Sequence, residues 1–259
     1  MVALSPTLGP SIANRDRLIF ALDVPDLAGA QRLVERLADA VAFYKIGLEL
    51  ATSPHYFRLL DWLIDHDKKV FTDLKLYDIP ATVSAAVRQL SKSGASFLTV
   101  HGDRAIMEAA AQNKGDDLKI LVVTVLTSIA PRDLAEMGIG LAVEELVTLR
   151  ARQAVAAGCD GVIASGLEAP ALRKTLGARA LIVTPGIRPA EGERGDAGRD
   201  ARGRATQGAV ADDQRRVVTP TQALEGGADY LVVGRPIRDA TDPYGAAVAI
   251  QEEIARACR

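Results

Sequence analysis

Sulfur is scarce in this chain, and so are rings. Two cysteines, Cys159 and Cys258, occur in 259 residues, far apart and outside any CxxC spacing. That pattern excludes a disulfide framework and a thiolate zinc site, and leaves small buried groups as their simplest role. Histidine occurs three times: His55 and His66 fall on a surface helix, and His101 lacks further matched ligands. No metal is therefore expected. Apolar runs are short. The longest, ILVVTVL, falls well below the ~18 residues of a membrane span, and reads as a strand. The net charge of −2 gives no bulk attraction to nucleic acid or an anionic membrane. The first residues carry no base before Arg15 and no apolar core, unlike a signal peptide. The expectation is a cytoplasmic protein with a flexible extension over residues 1–15 and one domain over 16–259.

What the chain does contain is an ordinary globular balance, 48% hydrophobic and 25% charged. Eight apolar, β-branched runs recur along it. They are RLIFALDV (17–24), FYKIGLEL (43–50), KVFTDLKL (69–76), FLTVHG (97–102), KILVVTVLT (119–127), GVIAS (161–165), ALIVTPGI (180–187) and YLVVGRPI (230–237). Between them lie segments of helical period. Asp26 is placed to cap one, Ser53 and Pro54 to open another, and Gly94 and Gly158 to stop two more. Eight strand–helix units without a linker predict an α/β fold, a single-domain (β/α)8 TIM barrel. An open doubly wound sheet is the alternative, but no GxGxxG follows a strand.

In such barrels reacting groups stand at the carboxyl ends of the strands. Polar residues gather there: Asp23, Lys45, Asp73 with Lys75, His101, Thr127, Ser165, Arg188, and Gly234 with Arg235. The stretch FTDLKLYDIP (71–80) is the densest. Asp73 and Lys75, two apart on a strand, share a face, and Lys45 on the neighbouring strand alternates with apolar residues. Lysines and aspartates are rarely buried unless paired, so an interleaved row in a barrel mouth would satisfy itself. A lone DxK reads equally well as a surface ion pair; Lys45 and Asp23 at equivalent positions on adjacent strands weigh against that. Glu49 shares the expected strand face of Lys45.

DLKLYDIPATV, with YKIG upstream and PGIRP, DQRR and VVGRPI downstream, resembles the orotidine 5′-phosphate decarboxylase family across about residues 17–245. The resemblance implies a homodimeric lyase of pyrimidine (UMP) biosynthesis that converts orotidine monophosphate to UMP without metal or organic cofactor. It implies that Lys45, Asp73, Lys75 and Asp78 form an alternating array, with Lys75 delivering the proton. Asp78, with Ile79 and Thr82, would come across the dimer interface. Asp23 would hold ribose hydroxyls, Thr127 would face the pyrimidine, and Gln214 would bridge phosphate and base.

Barrels often bind phosphate at the loops after strands seven and eight. Arg188 in PGIRP and Gly234–Arg235 in VVGRPI stand there. Glycine admits a close backbone approach, and arginine offers a planar fork. Each arginine taken alone reads as a solvated loop charge. Residues 189–213 carry five glycines and four arginines, and this connection is longer than the family's usual one. A mobile lid over the phosphate is the expectation. Two rivals remain: a magnesium-dependent sugar-phosphate decarboxylase or lyase of the same barrel family, which also uses DxKxxD, and an inactive phosphate-ligand sensor.

Overall fold

The structure, a computed structural model, describes residues 12–189 and 216–259. Eight parallel strands pair in sequence order, and the last pairs with the first to close a barrel. The strands are β1 (Leu18–Ala21), β2 (Phe43–Ile46), β3 (Lys69–Leu76), β4 (Phe97–Val100), β5 (Lys119–Val123), β6 (Gly161–Ile163), β7 (Leu181–Thr184) and β8 (Tyr230–Val233). The expected (β/α)8 architecture is present. The lid expected over 189–213 lies, from residue 190 onward, outside the described residues, as does residue 1–11 of the expected extension. Residues 14–16 form a 3-10 turn, and Ile12 packs against the barrel's interior cluster.

Period-two alternation divides each strand between two cores. Outward residues such as Leu18, Phe20, Tyr44, Val70, Leu98 and Val122 meet the helices, which bury stripes such as Ala30, Val34 and Leu37. Inward residues Ile19, Phe43, Phe71, Phe97, Leu121, Leu181 and Val232 fill the barrel. Phe97 packs on Phe43 with ring centroids 4.9 Å apart, and perpendicular to Tyr230 at 5.0 Å. This aromatic floor lies below the charged positions of β2 and β3. It excludes water from one side of them.

The capping signals act as expected in part. Asp26 Oδ1 accepts the Gly29 N–H at 2.7 Å, and Gly94 and Gly158 take positive φ (79° and 86°) after their helices. The helix expected from Pro54 begins instead at Tyr56, after a turn in which Ser53 Oγ accepts the His55 N–H. Every strand run except that of β3 ends earlier than the apolar pattern suggested. β2 stops at Ile46, and Leu48–Ala51 turns into a short helix, so Glu49 is exposed and does not share a strand face with Lys45. Likewise Arg235–Arg238 is a helical turn beyond β8.

Candidate active site

β3 is not a regular strand. Its register with β4 runs Thr72↔Leu98 and then Leu76↔Val100, so Asp73, Leu74 and Lys75 oppose Thr99 alone. Lys75 takes up the extra length with φ 49°, a left-handed conformation uncommon for a residue with a side chain. Asp73 and Lys75 do meet on the inner side, as expected, but through this bulge. Two threonines secure it. Thr72 Oγ1 donates to the Phe97 carbonyl at 2.9 Å; Thr99 Oγ1 accepts the Lys75 backbone N–H at 2.9 Å and donates to Asp73 Oδ1 at 2.8 Å.

The charges form one continuous row. Lys75 Nζ lies 2.9 Å from Asp73 Oδ1, Lys45 Nζ lies 3.5 Å from Asp73 Oδ2, and Lys45 Nζ also lies 3.3 Å from Asp23 Oδ1. Three adjacent strands thus supply an Asp–Lys–Asp–Lys sequence. Exposure rises along it in both directions from the centre: the Lys45 and Asp73 side chains are 12% and 14% exposed, Lys75 32% and Asp23 47%. Burial by itself would push the Asp73 carboxyl up. Lys45, Lys75 and the hydrogen bonds from Lys75 and Thr99 outweigh it and hold Asp73 below the ordinary carboxylate value. Asp73 is therefore ionised at neutral pH.

The row lines a cavity of ≈ 570 Å³ at the carboxyl ends of the strands, within the usual range for small-molecule sites. Eight of the twelve residues expected at the site line it: Asp23, Lys45, Asp73, Lys75, Thr127, Arg188, Gly234 and Arg235. Asp78, Ile79 and Thr82 do not; all three are exposed on the rim, and Asp78 Oδ1 accepts the adjacent Ile79 N–H at 2.6 Å. Gln214 lies outside the described residues. A second recess beside the first is lined by Lys75, Tyr77, His101, Asp103 and Arg150. There burial, then Arg150 and Lys75, lower the pKa of His101, so its ring is neutral at pH 7. Asp103 accepts the Ile106 N–H and caps the helix Arg104–Asn113.

Sequence reasoning missed several contributors. Thr99 gave no signal because a threonine inside an apolar strand reads as ordinary β-propensity. Arg238 lines the cavity and donates to the Asp23 carbonyl at 2.9 Å. Arg216 pairs with buried Glu168 and donates to the Leu126 carbonyl at 3.0 Å, which fastens the chain after residue 215 to the cavity rim. Burial pushes the Glu168 carboxyl up, and the Arg216 guanidinium offsets part of that rise. Among the described residues, no group of three or more His, Cys, Asp or Glu is placed to hold a metal ion.

A closed (β/α)8 barrel with an interleaved carboxylate–ammonium row in its mouth and arginines on its last two loops defines a barrel enzyme for a small anionic substrate. Comparison with known proteins narrows that class. The orotidine 5′-phosphate decarboxylase / HUMPS family matches residues 16–250, and the chain belongs to that family. The orotidine 5′-phosphate decarboxylase of Methylococcus capsulatus is 55% identical over 239 residues, 92% of each chain. That of Stenotrophomonas maltophilia is 52% identical over 247 residues, 95% of each. The crystal structure of orotidine 5′-phosphate decarboxylase from Lactobacillus acidophilus superposes with a TM-score of 0.76 at 33% identity, covering 92% of this chain and 99% of that one.

Proposed function

We infer that this chain decarboxylates orotidine 5′-phosphate to UMP, in pyrimidine biosynthesis. The observation that carries the reading is the unbroken row Asp23–Lys45–Asp73–Lys75 in the mouth of a barrel that belongs to this family. When the C6–carboxylate bond breaks, its electron pair stays on C6 in an in-plane orbital that ring resonance does not drain. Fixed charge must stabilise it. Lys75 supplies that charge and then a proton: its N–H bond breaks as the C6–H bond forms, and the resulting amine regains a proton from water. Asp73, held ionised, lies beside the leaving carboxylate, and departure of neutral CO2 removes that repulsion. Lys45 keeps Asp73 ionised and oriented.

Asp23 takes the ribose hydroxyls, Thr127 faces the pyrimidine, and Arg188, Gly234 and Arg235 take the phosphate, with Gln214 bridging phosphate and base. Each charge-assisted bond to phosphate contributes about 1.5–3 kcal/mol. Binding energy from that remote group helps to order the site for the chemical step. The site works without metal or organic cofactor, since Lys45 and Lys75 do the electrostatic work a cation would do. The magnesium-dependent lyase reading is not favoured, given the decarboxylase names of relatives at 52–55% identity.

The working unit in this reading is a homodimer. Asp78 of the partner subunit completes the row beside Lys75, with the partner subunit's Ile79 and Thr82. In support, Tyr77 and Ile79 are 71% and 66% exposed, an apolar edge at the rim next to Asp78. A cytoplasmic setting accords with two free cysteines. The test of the whole reading is to strip the purified protein of metal with a chelator, add orotidine 5′-phosphate and follow the ultraviolet change to UMP. Turnover is expected undiminished by the chelator; absence of turnover, or its return only with added magnesium, overturns the reading.

A further inference from the structure

Thr99 is fully buried on β4 and is the sole β4 residue facing the three-residue bulge of β3. The bulge removes the Lys75 N–H from the regular ladder and would leave it without an acceptor. Thr99 Oγ1 accepts it at 2.9 Å, and the same hydroxyl spends its one hydrogen on Asp73 Oδ1 at 2.8 Å. A single atom thus joins the backbone of one charged residue to the carboxylate of the other. Lys75 Nζ reaches the same Asp73 oxygen at 2.9 Å, closing a ring of three polar contacts. Thr72, the residue before Asp73, instead donates its hydroxyl to the Phe97 carbonyl.

We propose that Thr99 is a positioning residue for decarboxylation, whose hydroxyl holds Lys75 in its left-handed backbone and Asp73 in register with it. The proposal rests on the decarboxylase reading for its kinetic consequence, though not for its structural one. Valine is close to threonine in shape and keeps the packing, but it cannot accept the Lys75 N–H or donate to Asp73. Without the hydroxyl, the bulge has an unsatisfied, partly buried N–H, and the Lys75 ammonium drifts from the place where C6 must meet it. Such losses of alignment fall on the chemical step rather than on binding, because the phosphate loops are remote from β4.

The titratable groups around Asp73 set the pH consequence. They are Lys45 from β2 with Asp23 beyond it from β1, Lys75 on its own strand, and His101 beyond Lys75 at the end of β4. Thr99 is the neutral donor among them. Its removal raises the pH at which Asp73 takes up a proton, because one hydrogen bond to the carboxylate is lost.

The experiment compares the unaltered chain with T99V, T99A and T99S. Turnover of orotidine 5′-phosphate by the unaltered chain tests the decarboxylase reading alone. Thermal unfolding against pH tests the hydroxyl without substrate. Expected for T99V are a kcat lower by about 10²-fold with KM within about threefold, and an acidic limb of both kcat/KM and unfolding temperature moved upward. T99S restores most of kcat and the original limb. T99A gives the same reading as T99V should valine fold poorly. Unchanged kcat and limb in T99V or T99A, or T99S as impaired as they are, overturns the proposal.

Discussion

A Cβ added to Gly47 would stand 3.0 Å from Lys45 Nζ, and the next atom it met would be Asp23 Oδ1 at 3.2 Å. Glycine is not needed here for the backbone, since φ −90° and ψ −174° suit any residue. It is needed for the space in which the first ion pair of the row forms. Gly47→Ala therefore displaces the ends of two side chains and leaves the fold alone. The expected result is an unfolding temperature unchanged or slightly raised, with kcat/KM lower by about tenfold, less than a full 1 Å misplacement can cost. Paired kinetic and thermal-unfolding measurements check it; activity loss that merely tracks a fall in stability counts against it.

Lys75, the proposed proton donor, stores backbone strain. A side-chain-bearing residue at φ 49° costs roughly 1–2 kcal/mol relative to the right-handed region. Lys75→Ala and Lys75→Gly both remove the ammonium, so turnover is expected to vanish in both. They differ in the backbone: only glycine relieves it. In urea unfolding, Lys75→Gly should be the more stable of the two by about 1 kcal/mol. Equal stability would mean that the bulge holds no strain at this residue.

The barrel and most of its mouth were legible because their signals are local. Eight β-branched runs at regular intervals, and charged residues at equivalent positions in successive runs, need only period-two counting and the rule that barrel chemistry sits at strand ends. The bulge was not legible: a two-residue spacing between Asp73 and Lys75 predicts a shared face on a flat strand, and the real strand reaches the same outcome with an inserted turn of backbone. Thr99 acts only through that bulge, so its role has no sequence counterpart. Gly47 explains the misread end of β2, because LEL continues the apolar alternation while Gly47 starts a helical turn. Asp78 carries the same DxKxxD pattern as its neighbours, yet one chain leaves it on the rim.

Stability in acid should follow Asp73. Its folded carboxyl lies below the ordinary value of about 3.9. The unfolded chain therefore binds the proton more readily as pH falls. The stability this group contributes is fully present above pH ~4 and is lost as pH falls through the folded value. Asp73→Asn removes that dependence. Its unfolding temperature is expected to start lower at pH 7, with Lys45 and Lys75 facing one another less compensated, and to decline less steeply below pH 4. Parallel curves for the two proteins would exclude Asp73 as a source of acid sensitivity.

The loops proposed to take the phosphate make a different kinetic prediction. Arg235 lines the cavity at the end of β8. Loss of one charge-assisted bond, about 1.5–3 kcal/mol, corresponds to roughly 10- to 150-fold in kcat/KM. Arg235→Ala is expected to lose at least that, and Arg235→Lys less, since the charge remains while the fork is gone. Orotidine, which lacks the phosphate, supplies the control. With it the variant and the unaltered chain should turn over equally slowly. A variant equally impaired on both substrates would place the function of Arg235 elsewhere.

Sharing of sites between subunits can be read from mixing. Lys75→Ala removes the ammonium, and Asp78→Asn removes the carboxylate proposed to reach the partner's cavity. Each homodimer is expected to be inactive or nearly so. After unfolding and refolding an equal mixture, half of the dimers pair one variant with the other. In each of those, one cavity has both defects and the other has neither. About a quarter of all sites should then turn over at the unaltered rate, which follows from two-fold symmetry with one residue exchanged. If Asp78 served its own chain, every cavity in the mixture would keep one defect and activity would not return. The exposed position of Asp78 on the rim, beside Tyr77 and Ile79, is the arrangement an exchanged residue requires.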